Sequence, residues 1–158
     1  MKQITPCLWF DGNAEDAAAL YTSIFPDSAV TGVQRYGPDS PGVAGTVMVV
    51  EFRLRGQDYV GLNGGPQFPF TEAVSFQVRC ESQAEVDEYW DKLVDGGEPG
   101  PCGWLKDRFG LSWQVIPVEL FALISDPDQA AAARANQAML ATRGKLDLAV
   151  IRAAHAGN

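Results

Sequence analysis

Apolar positions between residues 4 and 63 follow two periods, which predict a strand, a helix and three further strands. Residues 4–10 form a short apolar run that the turn-forming residues 11–13 close, as is typical of a strand. In residues 17–25 the apolar positions recur at i, i+3, i+4, i+7 and i+8, the spacing of an amphipathic helix, with Asn13 placed to cap it and Pro26 to end it. The three further strands are predicted over residues 28–36, 46–54 and 59–63, with a loop at 37–42.

The same layout starts again after the Gly- and Pro-rich residues 64–70. A strand is predicted over residues 73–78, and a second helical pattern covers residues 86–94. Each of its members lies 69 residues after a counterpart in the first helix, and the pairs include Ala17 and Val86, Tyr21 and Trp90, and Phe25 and Val94. The layout is therefore duplicated, with one strand fewer in clear view in the second half, since residues 98–100 are too short to predict as a strand.

The clearest strand pattern lies in a hairpin predicted over residues 102–106 and 111–116, joined by the short link 107–110. Successive residues of a strand point to opposite faces of a sheet. One face of the second strand carries Leu111, Trp113 and Val115, which need a packed layer behind them. The other face carries Ser112, Gln114 and Ile116, and its central carboxamide predicts the floor of a pocket.

Residues 118–158 predict helices. Asp126-Pro127 is typical of a helix start, and the Ala-rich run to Thr142 continues that helix. A last helix is predicted over residues 145–154, with one side formed by Leu146, Ala149, Val150 and Ala153. Because this region has an apolar stripe and no convergent polar groups, we interpret it as a packing or dimer-forming segment.

Composition narrows the classes of partner. The formal net charge is −8 at pH 7, which argues against nucleic acid and anionic membranes, since both require a basic surface. A neutral or cationic small molecule suits this charge better. The apolar runs are far shorter than a membrane span, and no signal peptide is visible. Three cysteines without paired spacing indicate reduced thiols and a cytoplasmic protein.

Four segments together resemble a known family. They are Phe68-Pro69-Phe70, Ser75-Phe76-Gln77-Val78, residues 83–90 (QAEVDEYW) and residues 102–117 (CGWLKDRFGLSWQVIP). They resemble the PhnB-like proteins, labelled 3-demethylubiquinone-9 3-methyltransferases, within the glyoxalase/bleomycin-resistance/dioxygenase (vicinal oxygen chelate) superfamily. The likeness covers almost the whole chain.

The resemblance implies an α+β fold in which two βαβββ modules form a cupped mixed β-sheet, with helices outside and the ligand within, usually as a homodimer. Residues 1–117 would form one glyoxalase-like domain made of module 1 (1–65) and module 2 (71–117). Residues 118–158 would form a C-terminal helical extension. The two modules agree with the 69-residue duplication found in the apolar pattern.

Metal-dependent members of the superfamily hold a divalent ion with His or Glu from the first strand of each module and Glu from the last. The resemblance places these positions near Ile4, Asn63, Ala73 and Gln114, none of which offers a carboxylate or an imidazole. The only histidine, His155, is interpreted as a frayed, exposed side chain. We therefore expect no catalytic metal and no other cofactor.

Alternation also selects the side chains expected inside the cup. In the strand over residues 73–78, Val74, Phe76 and Val78 are expected to face a helix, so the residues between them face the pocket. In the first module the residues assigned to the pocket face are Pro6, Leu8, Gly61 and Asn63. The candidate ligand-pocket residues are Asn63, Ser75, Gln77, Cys102, Trp104, Ser112 and Gln114.

Three residues of the hairpin have alternative roles. Cys102 is either a buried, inert cysteine or a nucleophile, and a nucleophile needs a neighbouring base or cation. Trp104 is either a core aromatic or a platform for a flat or cationic ligand. Asp107 is expected to pair with Arg108 or with solvent, and it is the best carboxylate if a general base is required.

Three functions remain open at this point. The first is a small-molecule-binding protein, as the superfamily's bleomycin-resistance members are. The second is a metal-independent enzyme, including the methyltransferase or other transferase that the family label suggests. However, the nearest glycine-rich match to an adenosylmethionine-binding turn, residues 61–66, is followed by prolines that prevent the required helix. The third is a structural dimerisation module with a vestigial cup.

Overall fold

A computed structural model describes residues 4–158 of the chain. The chain divides into two compact units, of which the first ends at Phe70 and the second spans Thr71–Asn158. Among the residues described, no helix is long and apolar enough to cross a membrane.

The first unit is a four-stranded mixed sheet with one helix. Its elements are β1 (Cys7–Phe10), α1 (Ala14–Ile24), β2 (Ala29–Arg35), β3 (Val47–Leu54) and β4 (Gln57–Asn63). The strands lie in the order β1-β4-β3-β2. The first and last strands pair in parallel, and the other two pairings are antiparallel.

The second unit repeats this topology. Its elements are β5 (Ser75–Cys80), α2 (Gln83–Val94), the two-residue β6 (Glu98–Pro99), β7 (Trp104–Lys106) and β8 (Ser112–Pro117). The strand order β5-β8-β7-β6 matches the order in the first unit element by element. The predicted α+β fold with two βαβββ modules is therefore confirmed.

The 69-residue spacing of the two helices is also confirmed. Helix α1 buries Ala17, Tyr21 and Ile24, and α2 buries their counterparts at positions 86, 90 and 93. Each helix covers its sheet with the same three positions, as an amphipathic helix must when one stripe is apolar. At the start of α2 the Ser82 hydroxyl accepts the N–H of Glu85 at 3.2 Å.

Three helices follow the second sheet: α3 (Glu119–Ile124), α4 (Gln129–Ala141) and α5 (Leu148–Ala156). The predicted helix start at Asp126-Pro127 is wrong. Asp128 is the N-cap of α4, since its carboxylate accepts the N–H groups of Ala130 and Ala131. Asp126 instead accepts the N–H of Asp128 at 2.8 Å, in the turn before the helix.

The buried face predicted for the last helix is wrong as well. Leu148 and Ile151 are buried, whereas Val150 is 56% exposed. The reason is that α5 begins only after its N-cap, Asp147. Leu146 precedes the helix, so a period of 3.6 counted from Leu146 is out of phase with the helix itself.

Candidate functional site

The face of the second sheet that points away from α2 carries most of the candidate residues. The parallel pairing of β5 with β8 places Ser75 opposite Ser112 and Gln77 opposite Gln114. The antiparallel pairing of β7 with β8 places Trp104 on the same face as Gln114, because directly opposed residues share a face. The other face carries the apolar set, including Val78, Leu105, Trp113 and Val115, all of which are buried.

A chain of hydrogen bonds orders the amide side chains on this face. Gln114 Nε2 donates to Ser75 Oγ at 2.8 Å, and Gln77 Nε2 donates to Gln114 Oε1 at 3.3 Å. Arg79 Nε then donates to Gln77 Oε1 at 3.2 Å, and its guanidinium lies 5.5 Å from the centroid of the Phe121 ring. The sequence pattern did not single out Arg79, although alternation two residues beyond Gln77 places it there.

Ile116, which alternation assigned to the open pocket face, is covered. It belongs to a buried cluster with side chains from the C-terminal region: Leu120, Ala135, Leu146 and Ile151. The C-terminal helices therefore close one end of this sheet face, so an apolar residue fits there. The pocket is confined to the part of the face near β6 and β7.

A cavity of about 340 Å³ lies at that end of the face. Three candidates, Cys102, Trp104 and Ser112, line it, together with the charged residues Glu72, Glu98 and Lys106. Ser75, Gln77 and Gln114 lie on the same sheet face outside the lining of this cavity. The structure thus brings half of the six second-unit candidates into one cavity.

Ser112 is the unusual member of this cavity. It is 1% exposed, and its hydroxyl has no hydrogen-bond partner among the residues that the structure describes. Buried polar groups in folded proteins nearly always have partners, and each exception needs an explanation. The hydroxyl therefore has unused hydrogen-bonding capacity beside the cavity.

The charged residues of the cavity carry a net negative charge. Lys106 Nζ lies 2.6 Å from a Glu72 carboxylate oxygen, and Glu98 faces Lys106 across the β6–β7 pairing. The hydrogen bond from Lys106 lowers the pKa of Glu72. The same bond raises the pKa of Lys106, and the charge of Glu98 adds to this effect. Glu72 thus pairs with the ammonium group, and Glu98 acts on it through its charge alone.

Cys102 lies in a tight turn and not in the strand predicted to begin there. Cys102 has φ 56° and Gly103 has φ 83°, so both are in the left-handed region and β7 starts only at Trp104. The turn is closed by a bond of 2.9 Å from the N–H of Trp104 to the carbonyl of Pro101. Cys102 is half-buried, and its thiol donates to the carbonyl of Leu140 at 3.8 Å.

Asp107 is a structural residue. It is 3% exposed, and its Oδ1 accepts the N–H groups of Phe109 and Leu111 at 2.8 and 3.1 Å. Its Oδ2 accepts the indole N–H of Trp113. The expected pairing with Arg108 is wrong, because Arg108 pairs with Asp95. With both oxygens hydrogen-bonded, Asp107 holds the hairpin together.

In the first unit Asn63 lines a cavity of about 860 Å³, but the sheet face assigned to the pocket is turned toward α1. Gly61 and Asn63 share a face with the buried Leu8 and Phe10, and this face packs on α1, since a Cβ at Gly61 would lie 3.2 Å from that of Ala14. Asn63 Oδ1 accepts the N–H of Ala14 at 2.9 Å, and its Nδ2 donates to the carbonyl of Val47 at 3.0 Å.

Asn63 therefore caps the N-terminus of α1, the role expected of Asn13. The side chain of Asn13 makes no capping hydrogen bond to α1. The carboxamide of Asn63 satisfies the first N–H group of the helix from the neighbouring strand. This explains why a polar residue occupies a buried, helix-facing position.

The residues at the expected metal positions do not suit a divalent cation. Asn63 faces α1 and bonds two backbone groups there, and Gln114 is hydrogen-bonded to Ser75 and Gln77. Carboxamides engaged in this way are poor ligands for a divalent cation. Within residues 4–158, no group of three or more His, Cys, Asp or Glu side chains is arranged to hold a metal.

His155 is not frayed, contrary to expectation. Its Nε2 lies 3.1 Å from Oδ2 of Asp126, and the ring is partly buried. Arg134 also holds this end of α5, since it donates to the carbonyl groups of Ala154 and His155 at 3.0 and 2.7 Å. These contacts explain how the last helix docks without a long apolar stripe.

The two βαβββ units give the chain the fold of glyoxalase/bleomycin-resistance-like proteins. A family model described as 3-demethylubiquinone-9 3-methyltransferase matches residues 2–116, and the chain therefore belongs to that family. The resemblance seen in the sequence is confirmed.

Solved structures give the same result. The PhnB protein of Bacillus cereus is 36% identical with a TM-score of 0.67, and the match covers 74% of this chain and 100% of that protein. Protein PA1353 of Pseudomonas aeruginosa is 25% identical with a TM-score of 0.59, over 74% and 98%. The fosfomycin resistance protein FosX of Listeria monocytogenes shares the fold at 16% identity and a TM-score of 0.51, over 74% and 93%. No protein of curated function matches the chain.

Proposed function

We propose that this protein binds a neutral or cationic small molecule in the cavity beside Trp104, without a metal ion. The observation that carries the proposal is Ser112, a buried residue of the cavity lining whose hydroxyl has no partner among the described residues. Leaving such a group unpaired costs about 1–3 kcal/mol. A ligand with one polar atom at this position would recover that cost on binding.

The shape and lining of the cavity indicate the ligand's size and character. Its volume of about 340 Å³ falls at the lower end of the range for small-molecule sites. Trp104 and two prolines form apolar walls, and an indole offers a flat surface for stacking. These features favour a compact ligand with a flat apolar part and one hydrogen-bonding group.

Charge favours a neutral or cationic ligand over an anion. Glu72 and Glu98 outnumber Lys106 in the cavity lining, and the whole chain carries a net charge of −8. An anion would meet a repulsive potential both on approach and in the bound state. The same charge leads us to propose that neither nucleic acid nor membrane is a partner.

The setting of the protein is also part of the proposal. Cys7, Cys80 and Cys102 are free thiols, which supports a reducing compartment such as the cytoplasm. The family resemblance supports a homodimer. Both statements are tested by sedimentation and by localisation of the tagged protein in its host.

We prefer binding to catalysis because the candidate general base is held in structural hydrogen bonds and the glycine-rich turn is not followed by a helix. Asp107, the best candidate for a general base, accepts three hydrogen bonds that hold the hairpin. The glycine-rich residues 61–66 belong to the end of β4 and the loop after it, and the next element is β5 and not a helix. An adenosylmethionine-binding turn requires a helix at that point, so methyl transfer is not proposed.

The test is a titration with benzyl alcohol, benzyltrimethylammonium and benzoate, and with their naphthyl analogues, followed by thermal unfolding and tryptophan fluorescence. We expect saturable binding of at least one neutral or cationic probe, recovered unchanged by mass spectrometry, and a rise in melting temperature with probe concentration. Trp104→Leu should abolish binding, whereas Ser75→Ala, on the same face outside the cavity, should preserve it. Binding of benzoate alone, or of no probe, would overturn the proposal.

A further inference from the structure

The turn that forms one wall of the cavity is held by the C-terminal region. The N–H of Cys102 donates to the carbonyl of Thr142 at 3.0 Å, and the N–H of Gly103 donates to the carbonyl of Gly144 at 2.9 Å. The thiol of Cys102 points to the carbonyl of Leu140. These acceptors lie in residues 140–146, which we name the latch segment. One segment of chain thus supplies three contacts to two consecutive residues.

The turn needs this support because its backbone is strained. Cys102 has φ 56°, a conformation that costs a residue with a β-carbon about 1–2 kcal/mol. Such residues persist when their surroundings over-determine them. The two N–H bonds to the latch segment fix both residues of the left-handed pair, so the position of Cys102 in the cavity wall depends on them.

Close packing adds to the hydrogen bonds. A Cβ at Gly103 would lie 3.0 Å from Leu146 Cδ1 and 2.9 Å from the carbonyl oxygen of Val115. Only glycine therefore lets the latch segment approach the turn this closely. Leu146 is fully buried, so its side chain fills the space that a larger residue at position 103 would need.

The latch segment is itself anchored to the body of the second unit. Gln83, in the first turn of α2, donates from Nε2 to the carbonyl of Leu146 at 3.0 Å and accepts the N–H of Leu148 at 2.9 Å. Lys145 Nζ lies 3.0 and 3.2 Å from carboxylate oxygens of Asp87 and Asp91 on α2. The segment therefore links α2 rigidly to the wall of the cavity.

We propose that the latch segment sets the shape of the ligand cavity, with Leu146 and Gly103 as positioning residues that act through Cys102. The family match ends at residue 116, and the PhnB protein of Bacillus cereus is fully covered by 74% of this chain. The latch segment thus lies beyond the part of the chain that the family model matches. The consequence for ligand binding rests on the proposed function; the structural consequence does not.

The test is the rate at which iodoacetamide alkylates each cysteine of the full-length protein, measured by peptide mass spectrometry. Leu146→Ala should speed alkylation of Cys102 by about fivefold or more, because thiol reactivity follows exposure. Cys7, which is exposed, serves as an internal standard, and the buried Cys80 reports unfolding. The matched control is Ile151→Ala, an equal loss in the same buried cluster, for which the Cys102 rate should change less than about twofold.

Gly103→Ala provides the second variant, since it strains the turn directly and removes no atom from the core of the C-terminal helices. It should speed the alkylation of Cys102 and leave Cys80 protected. If Leu146→Ala unfolds the protein and exposes Cys80, the test of the proposal is Gly103→Ala alone. Unchanged Cys102 rates in Gly103→Ala, or equal rates in Leu146→Ala and Ile151→Ala with Cys80 protected, would overturn the proposal. Because alkylation needs no ligand, a failure of the latch is distinguishable from a failure of ligand binding, which the probe titration measures.

Discussion

The indole N–H of Trp113 donates a hydrogen bond of 2.9 Å to the buried carboxylate of Asp107. The donor lies in β8 on the face that packs on α2, and the acceptor lies in the link between β7 and β8. The bond ties the turn of the hairpin to the core behind the sheet. The hairpin that carries the cavity on its opposite face is thus held by a buried hydrogen bond.

Replacing Asp107 should therefore affect stability more than an exposed ion pair does. Asp107→Ala leaves buried donors unpaired and should lower the free energy of unfolding by about 3 kcal/mol. Asp95→Ala breaks only the exposed pair with Arg108 and should cost about 1 kcal/mol or less. Urea unfolding measures both values. Equal losses in the two variants would show that Asp107 does not anchor the hairpin.

Asn63 and Asn13 form a second matched pair. Asn63→Ala removes the acceptor of the Ala14 N–H and the donor to Val47 and should cost about 2–3 kcal/mol, because both backbone groups are buried. Asn13→Ala should change stability by less than about 0.5 kcal/mol, since this side chain caps nothing. Thermal unfolding distinguishes the two residues. A larger loss of stability in Asn13→Ala than in Asn63→Ala would show that Asn13 is the cap of α1.

Charge at the cavity gives a prediction with a defined pH window. The pKa of Glu72 is lowered by its bond to Lys106, so the pair is complete above the ordinary pKa of Glu and is lost as pH falls through the lowered value. The pKa of Lys106 is raised, so at the other end the ion pair is lost only as pH rises through that raised value. Affinity for benzyltrimethylammonium, a permanent cation, should therefore be constant at neutral pH and fall only when pH drops below the ordinary pKa of Glu.

A charge variant checks the same electrostatic account at constant pH. Glu98→Gln should weaken benzyltrimethylammonium binding by about threefold at low salt and leave benzyl alcohol binding unchanged. Calorimetric titration of both probes gives the ratio. An equal effect on the two probes would mean that Glu98 contributes shape to the site and not charge.

The absence of suitable ligands at the expected metal positions predicts indifference to chelators. Dialysis against EDTA should leave the melting temperature and the affinity for the bound probe unchanged. Elemental analysis of protein purified without added metal should show less than about 0.1 equivalent of any divalent transition metal, because carboxamides are weak ligands for such ions. A stoichiometric metal that EDTA removes together with probe binding would contradict this expectation.

The sequence allowed the second unit to be described more fully than the first. Alternation in residues 111–116 placed Ser112 and Gln114 on one face and Trp113 on the other. This assignment is correct because in this strand the polar side chains point away from the helix and the apolar ones point toward it. In β4 the same rule fails, since the polar side chain of Asn63 points toward α1, where it bonds a residue 49 positions earlier. A long-range cap of this kind leaves no local signal, and the polar side chain was assigned to the wrong face.

Other features depend on packing that no short pattern carries. The sequence contains two cap-like aspartates, Asp126 and Asp128, and only the three-dimensional arrangement shows that the second one begins α4. The left-handed turn at Cys102 follows from bonds to residues 40 positions away or more. Alternation gave the face on which Ser112 lies, but the absence of a partner for its hydroxyl became visible only with all neighbours in place.

The most direct measurement compares Ser112→Ala with Ser75→Ala in unfolding and in probe binding. If the Ser112 hydroxyl bonds a ligand, its removal should stabilise the free protein by about 1 kcal/mol and lower the affinity for the probe by about fivefold. Ser75 is hydrogen-bonded to Gln114, so Ser75→Ala should destabilise the protein and leave the probe affinity unchanged. A Ser112→Ala variant that is less stable, yet binds the probe as tightly as the parent, would contradict the account.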